Sequence, residues 1–108
     1  MLRHNFKIYV PSTVAVSESC DNTKQVENTL SFLSGLFGGA TSYDARGAWV
    51  SQSAGLVLEN VTICVGFCSL AQKLRNRRAV VAYCEELCKI MKQEAISLEI
   101  DGILYFIS

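Results

Sequence analysis

The chain has 108 residues, half of them apolar, with one proline, ten basic and ten acidic residues and no net charge. That balance excludes a global field drawing the protein onto nucleic acid or an anionic membrane, and a chain of this length and apolar content can build one core without a metal or disulfide staple. The longest apolar runs, "GLVLENVTICVGF" and "ILYFI", fall short of the roughly 18 residues of a spanning helix, and the N-terminus has no apolar segment of signal-peptide length, so a soluble cytoplasmic protein of one domain over residues 1–108 is expected.

Asn5 to Val10 sets Phe6, Ile8 and Val10 against Lys7 and Tyr9, the period of a strand with one buried face. Pro11 ends it, and "PSTVAVSESCDNTKQ" reads as a polar loop whose Asn22 and Gln25 form a capping box. Val26, Leu30, Leu33 and Phe37 then recur at helical spacing, widened by Phe32 and Leu36, until Gly38 and Gly39 stop the helix. Ala40 to Val50 returns to a period of two, "SQSAG" is a turn, and Val57, Val61, Ile63, Val65 and Phe67 alternate through a long partner strand. Ser69 with Gln72 is a second capping box, opening a helix to about Gln93 with Leu70, Leu74, Val81, Cys84, Cys88 and Met91 on one stripe. "AISLEIDGILYFIS" carries Asp-Gly between two apolar alternations, the signal of a hairpin whose turn residues need positive φ.

The order resembles an α+β, ferredoxin-like βαββαβ arrangement with one extra edge strand, an antiparallel sheet carrying two helices on one face and a C-terminal hairpin. The helices are expected to bury their stripes against Phe6, Ile8, Val10, Val61, Ile63 and Val65, because a one-faced helix and a one-faced sheet have no better partner. The open face would then present Lys7, Tyr9, Ser42, Asp44, Arg46, Asn60, Thr62, Cys64, Ser97 and Glu99. Within the run from Tyr43 to Arg46, alternation sends Tyr43 and Ala45 to one side and Asp44 and Arg46 to the other. Asp44 and Arg46 form either a solvated cross-strand ion pair or an anchor in which Arg46 binds an anion or carboxylate bidentately. Glu59 shares the parity of Val57 and Val61, so it lies outside the helical cover or is paired, with Arg77 as a conceivable partner.

Other chemistries have weaker support. Cys20, Cys64, Cys68, Cys84 and Cys88 are an odd number, so reduced thiols are expected. Two pairs at a spacing of four can be drawn as a four-thiolate zinc site, but the spacing is not that of a zinc knuckle and parity places Cys64 away from the helical thiols, so they read as buried hydrophobes and no metal or cofactor is expected. His4 is the one histidine, without a nucleophile at a supporting distance in sequence, and neither a nucleophile elbow nor a phosphate-binding glycine fingerprint occurs. Lys73, Arg75, Arg77 and Arg78 crowd one and a half turns of the second helix, a solvated face or a patch for phosphates or an acidic partner. The absence of interleaved aromatics argues against nucleic acid.

The stretches "IYVPST", "LFGGATSYDARGAWVS", "GLVLENVTI" and "QEAISLEIDGILYFI" are similar to those of small uncharacterised proteins of bacteriophages and mobile elements of gut bacteria. The resemblance covers most of the chain apart from the loop before the first helix. It implies a stand-alone protein of the bacterial cytoplasm that interferes with host defence, and it transfers no catalytic residue. The expected function is that of a non-enzymatic binding protein. It would form a homodimer through the open sheet face, covering Leu104 and Phe106, and capture a small anionic ligand or host protein around Tyr9, Tyr43, Asp44, Arg46, Asn60 and Glu59. The alternatives are a small ferredoxin-like enzyme with a pocket near Asp44, Arg46 and Glu59, and binding of nucleic acid or an acidic partner by the basic helix.

Overall fold

The computed structural model describes residues 1–14 and 18–108, so residues 15–17 of the expected loop lie outside the described residues. β1 (His4–Pro11) leads through a two-residue ribbon, β2 (Thr13–Val14) and β3 (Glu18–Ser19), into α1 (Thr23–Phe37). β4 (Thr41–Ser51) and β5 (Gly55–Cys68) form a long hairpin, followed by α2 (Leu70–Ile90) and a second hairpin, β6 (Ile96–Ile100) and β7 (Ile103–Ile107). The main sheet runs β4-β5-β1-β6-β7 with antiparallel pairing throughout. This is the ferredoxin-like order with the fifth strand added at the edge, as expected. The β2–β3 ribbon was not expected from the polar composition of the loop.

Local chemistry explains the element ends. Ser69 caps α2 in a full capping box, its Oγ accepting from the Gln72 N–H at 3.2 Å while the Gln72 Oε1 accepts from the Ser69 N–H at 2.9 Å. The box expected at Asn22 is absent: the Asn22 amide turns away from its helix and donates to the Pro11 carbonyl at 3.1 Å and the Thr62 hydroxyl at 3.3 Å, tying α1 to the sheet. Gly38 closes α1 in the left-handed conformation, φ 90°, with its N–H on the Ser34 carbonyl. Asp101 and Gly102 turn with φ of 51° and 83°, as an Asp-Gly hairpin requires.

Both helices cover the face formed by Phe6, Ile8, Val10, Ile96, Leu98 and Ile100, with Leu33 and Phe37 of α1 and Val80, Cys84, Leu87 and Cys88 of α2 packed over it. Phe37 stacks on Phe6 at 5.3 Å and Phe32 on Tyr83 at 4.2 Å, offset aromatic contacts that add to the burial. The stripe assigned to α2 is corrected at its start, because Leu70 and Leu74 are exposed and Val80 and Leu87 take the inward positions. No helix among the described residues is long and apolar enough to cross a membrane.

The parity expected for β5 is reversed. Its register sets Thr62 beside Val10, Cys64 beside Ile8 and Gly66 beside Phe6, so Thr62, Cys64 and Gly66 face the helices, while Val61, Ile63, Val65 and Phe67 face the open side. β4 follows, with Ser42, Asp44 and Arg46 opposite Cys64, Thr62 and Asn60 on the helical side and Tyr43, Ala45, Gly47 and Trp49 on the open side. Arg46 nevertheless remains exposed, because the helices do not reach that far along the hairpin.

Candidate functional site

β1 leaves β5 at Pro11, whereas β5 and β4 continue outward together to the turn at residues 52–54. The hairpin therefore projects from the body as an arm, and the molecule measures 44 × 26 × 22 Å. On the side that β1 vacates, the β2–β3 ribbon sits against the arm, held by Ser12, whose N–H and Oγ both donate to the Asn60 carbonyl, and by the Gln93 amide, which donates to the Thr13 carbonyl at 2.9 Å. A cavity of about 450 Å3 lies in this crotch, within the range of roughly 300–1,000 Å3 usual for small-molecule sites.

Arg46, Trp49, Val57, Leu58, Glu59 and Asn60 supply its arm wall, and Ser12, Thr13 and Ser19 the facing polar wall. Glu59 is half-buried on the open face, with its side chain across Gly47, where an added Cβ would lie 3.7 Å from the Glu59 Cγ. It makes no ion pair among the described residues. The partner suggested for it, Arg77, instead spreads over the Tyr105 ring at 5.4 Å and donates to its hydroxyl. The Thr13 Oγ1 is enclosed and has no hydrogen-bond partner among the described residues, an arrangement that costs free energy unless something else supplies the bond.

The other residues singled out in sequence are distributed as follows. Asn60 and Glu59 also line a smaller cavity of about 80 Å3 with Tyr9. Tyr9 donates to Glu99 at 2.9 Å, and partial burial followed by that carboxylate raises its phenol above the ordinary value. Asp44 accepts from the Thr62 hydroxyl at 3.1 Å and borders a third recess with Asn22 and Asn60. Tyr43 lies on the open face beside Ile63, away from these recesses. Of the six residues, Arg46, Glu59 and Asn60 thus share one cavity, and Asp44 is across the sheet from Tyr9 and Tyr43. In the basic set, Lys73 reaches back to Asp101 and Arg77 to Tyr105, which leaves Arg75 and Arg78 exposed.

Cys64 faces the helices with Cys84, contrary to the parity read from the sequence, and burial pushes these thiols up to about 11 and about 12. They are poor nucleophiles in this state. His4 stands opposite Cys68 in the ladder, but its Nδ1 is held by Asp101 and Cys68 is fully enclosed.

Sequence reasoning missed Trp49, Thr13 and Ser19. The available signal was the tip of the hairpin, where Trp49, Val50, Leu56 and Leu58 put exposed apolar side chains on both parities, a pattern that fits neither a core face nor a solvated one.

No protein-family model and no curated protein matches this chain. Two solved structures do. One is a phage SAM lyase in complex with S-methyl-5'-thioadenosine, with a TM-score of 0.70, and the other a phage SAM lyase in the apo state, with a TM-score of 0.67. Each is 23% identical and is aligned over 97% of this chain and 88% of its own. This chain has the fold of a phage SAM lyase. The expectation of a non-enzymatic binding protein is therefore corrected: the architecture from which it was drawn is, along nearly the whole chain, that of an enzyme. The ferredoxin-like build and the likeness to phage proteins agree with the reading of the sequence.

Proposed function

We propose that the chain is a small enzyme that binds a sulfonium nucleoside of the S-adenosylmethionine class in the arm cavity and breaks the bond from sulfur to the amino-acid arm. The observation that carries this reading is Glu59, a half-buried carboxylate outside any ion pair among the described residues, which borders the cavity with Trp49 from the open face of the arm while Arg46 borders it from the opposite face. That set matches the ligand part by part. Trp49 offers a face for the adenine ring, Glu59 an anion for the ammonium, and Arg46 a bidentate donor for the carboxylate.

S-methyl-5'-thioadenosine, which the lyase binds in one of the two structures, is what remains of S-adenosylmethionine when sulfur parts from Cγ of the arm. A lyase adds no water. The balanced step is internal displacement, in which a carboxylate oxygen of the substrate bonds to Cγ while the Cγ–S bond breaks and its electron pair stays on sulfur, leaving a neutral thioether and a lactone. No proton has to move. Holding both ends of the arm, Glu59 on one charge and Arg46 on the other, folds the carboxylate toward Cγ, and such orientation is a large part of the barrier in intramolecular reactions. The sulfonium charge vanishes as the bond breaks, so apolar walls such as Val57 and Leu58 favour the transition state over the bound substrate.

Destroying S-adenosylmethionine in a bacterial cytoplasm would remove the methyl donor of the host, in keeping with the likeness to phage proteins. The exposed aromatics of the open face, Tyr43, Phe67 and Phe106, support pairing of two copies through that surface. The deciding experiment incubates the purified chain with S-adenosylmethionine and follows the products by chromatography. Formation of S-methyl-5'-thioadenosine, with S-adenosylhomocysteine left intact, is expected. An unchanged substrate at high enzyme concentration would overturn the reading.

A further inference from the structure

α2 ends at Met91 in a Schellman turn, in which the Lys92 N–H reaches back to the Lys89 carbonyl at 3.2 Å and the Gln93 N–H to the Cys88 carbonyl at 3.0 Å. Such a turn needs a left-handed residue, and the chain supplies Lys92, with φ 52°, where glycine would enter without steric cost. The backbone therefore reverses after the helix, and Gln93 leaves it toward the β2–β3 ribbon.

Gln93 is held at its N–H, its carbonyl and its side chain. The Cys88 thiol donates to the Gln93 carbonyl at 3.1 Å, and the Gln93 Nε2 donates to the Met91 carbonyl at 3.2 Å and to the Thr13 carbonyl, 80 positions earlier, at 2.9 Å. The last of these bonds ties the end of α2 to the polar wall of the arm cavity, to which Thr13 belongs. The ribbon has little to fix its own position. Its strands pair over two residues each, too few for stability alone. Its other hydrogen bonds among the described residues are those of Ser12 with Asn60 and Cys20. Ser12 thus fixes one end of the ribbon to the arm, and Gln93 fixes Thr13 to the body of the protein. Gln93 itself lines the smaller recess with Tyr9, Glu59 and Asn60 and is not among the lining residues of the arm cavity.

We propose that Gln93 is a positioning residue of the arm cavity. By holding Thr13 it sets the gap between the polar wall and the arm residues Arg46, Trp49 and Glu59, and so governs how tightly a ligand is gripped between them. The lining residues of that wall, Ser12, Thr13 and Ser19, carry no charge. They press a substrate onto the arm equally before and during bond breaking, so slackening the wall weakens binding without slowing the chemical step.

The test compares wild type with Gln93→Glu, which keeps the shape and loses both donors at neutral pH, and with Gln93→Ala. Amide hydrogen exchange needs no substrate. It should quicken by about fivefold or more at Cys20, whose N–H bonds to the Ser12 carbonyl at 2.9 Å, and stay unchanged at Val80 and Cys84 inside α2. The kinetic half of the test rests on the reaction proposed above. With S-adenosylmethionine, KM should rise by about fivefold or more while kcat stays within about twofold. Faster exchange confined to Ile90 and Met91 would mean that Gln93 only caps α2 and would overturn the proposal, as would a wild-type KM in both variants. A wild type that leaves S-adenosylmethionine uncut sinks the reaction instead, and exchange at Cys20 then decides the role of Gln93 by itself.

Discussion

The Nδ1 of His4 lies 2.7 Å from the Asp101 carboxylate, 97 positions away in the chain, and joins the start of β1 to the turn between β6 and β7. Asp101 also accepts from the Asn5 N–H at 2.9 Å and from the Lys73 ammonium of α2. Desolvation raises its pKa, but the Lys73 and His4 bonds and the Asn5 N–H outweigh that and hold the carboxyl well below its usual range. A carboxyl with a depressed folded-state pKa contributes stability that is present above its unfolded value, about 4, and is lost as the pH falls toward the folded value. Asp101→Asn keeps the turn, since asparagine also accepts positive φ, but leaves Lys73 without its anion. It should cost about 1–2 kcal/mol at neutral pH, with the gap to wild type narrowing below about pH 4. Urea denaturation at a series of pH values measures this, and a gap independent of pH would show that the contacts do not depend on charge.

Glu59→Gln removes the charge and keeps the shape. If Glu59 holds the ammonium of the substrate in place, turnover of S-adenosylmethionine should fall by about 10²-fold, the scale seen when a positioned polar group in an active site is lost. Trp49→Ala should act mainly on KM, because the adenine is held equally in substrate and transition state. Steady-state kinetics separates the two effects. Unchanged kinetics in both variants would move the site out of the arm cavity.

Much of the architecture was legible in the residues. Alternation in β1, the Ser69 box and the Asp-Gly turn each rest on a local rule with one dominant cause, and each is present. The parity of β5 was not legible, because its larger apolar residues, Val61, Ile63 and Val65, read as the core side. They pack on the open face, where Ile63 sits between Tyr9 and Tyr43 in the ladder and is only 7% exposed. The helical side takes small residues, Thr62, Cys64 and Gly66, since α1 lies close against the strand and leaves no room for more. Hydropathy records affinity for water and not the space available, so this strand was assigned to the wrong side, and with it the faces of Asp44 and Arg46. The arm cavity was half visible: Arg46, Glu59 and Asn60 were marked by their chemistry, while Thr13 and Ser19 enter through a long-range fold of the loop that no spacing announces.

The same crowding makes a stability prediction. A Cβ on Gly66 would lie 3.0 Å from the Phe37 Cδ2 and 3.6 Å from the Leu33 Cβ. Phe37 cannot yield, being buried and stacked on Phe6. Replacing glycine by alanine at a compatible site gains about 0.4–1 kcal/mol through the unfolded chain, but overpacking a core costs typically 1–3 kcal/mol. Gly66→Ala should therefore be less stable by about 1–2 kcal/mol, which thermal unfolding would register as a drop of roughly 4–8 °C per kcal/mol. A higher melting temperature would mean that α1 can lift from the sheet.

The last prediction concerns the open face. Phe67 at 50%, Leu104 at 49% and Phe106 at 70% exposure share this side with Tyr43, from both edges of the sheet to its centre. Between them, on the central strands, Lys7 pairs with Glu99 at 3.6 Å, and Glu99 also accepts from Tyr9. A second copy laid on this face would remove these apolar side chains from water while the polar groups between them keep their own partners. Phe106→Glu places a carboxylate on that surface near Glu99, so both desolvation and like-charge repulsion act against pairing. Light scattering should show two copies for the wild type and one for the variant, with unchanged circular dichroism because Phe106 packs on nothing in its own core. A wild-type protein that stays monomeric at high concentration would leave the open face without this role.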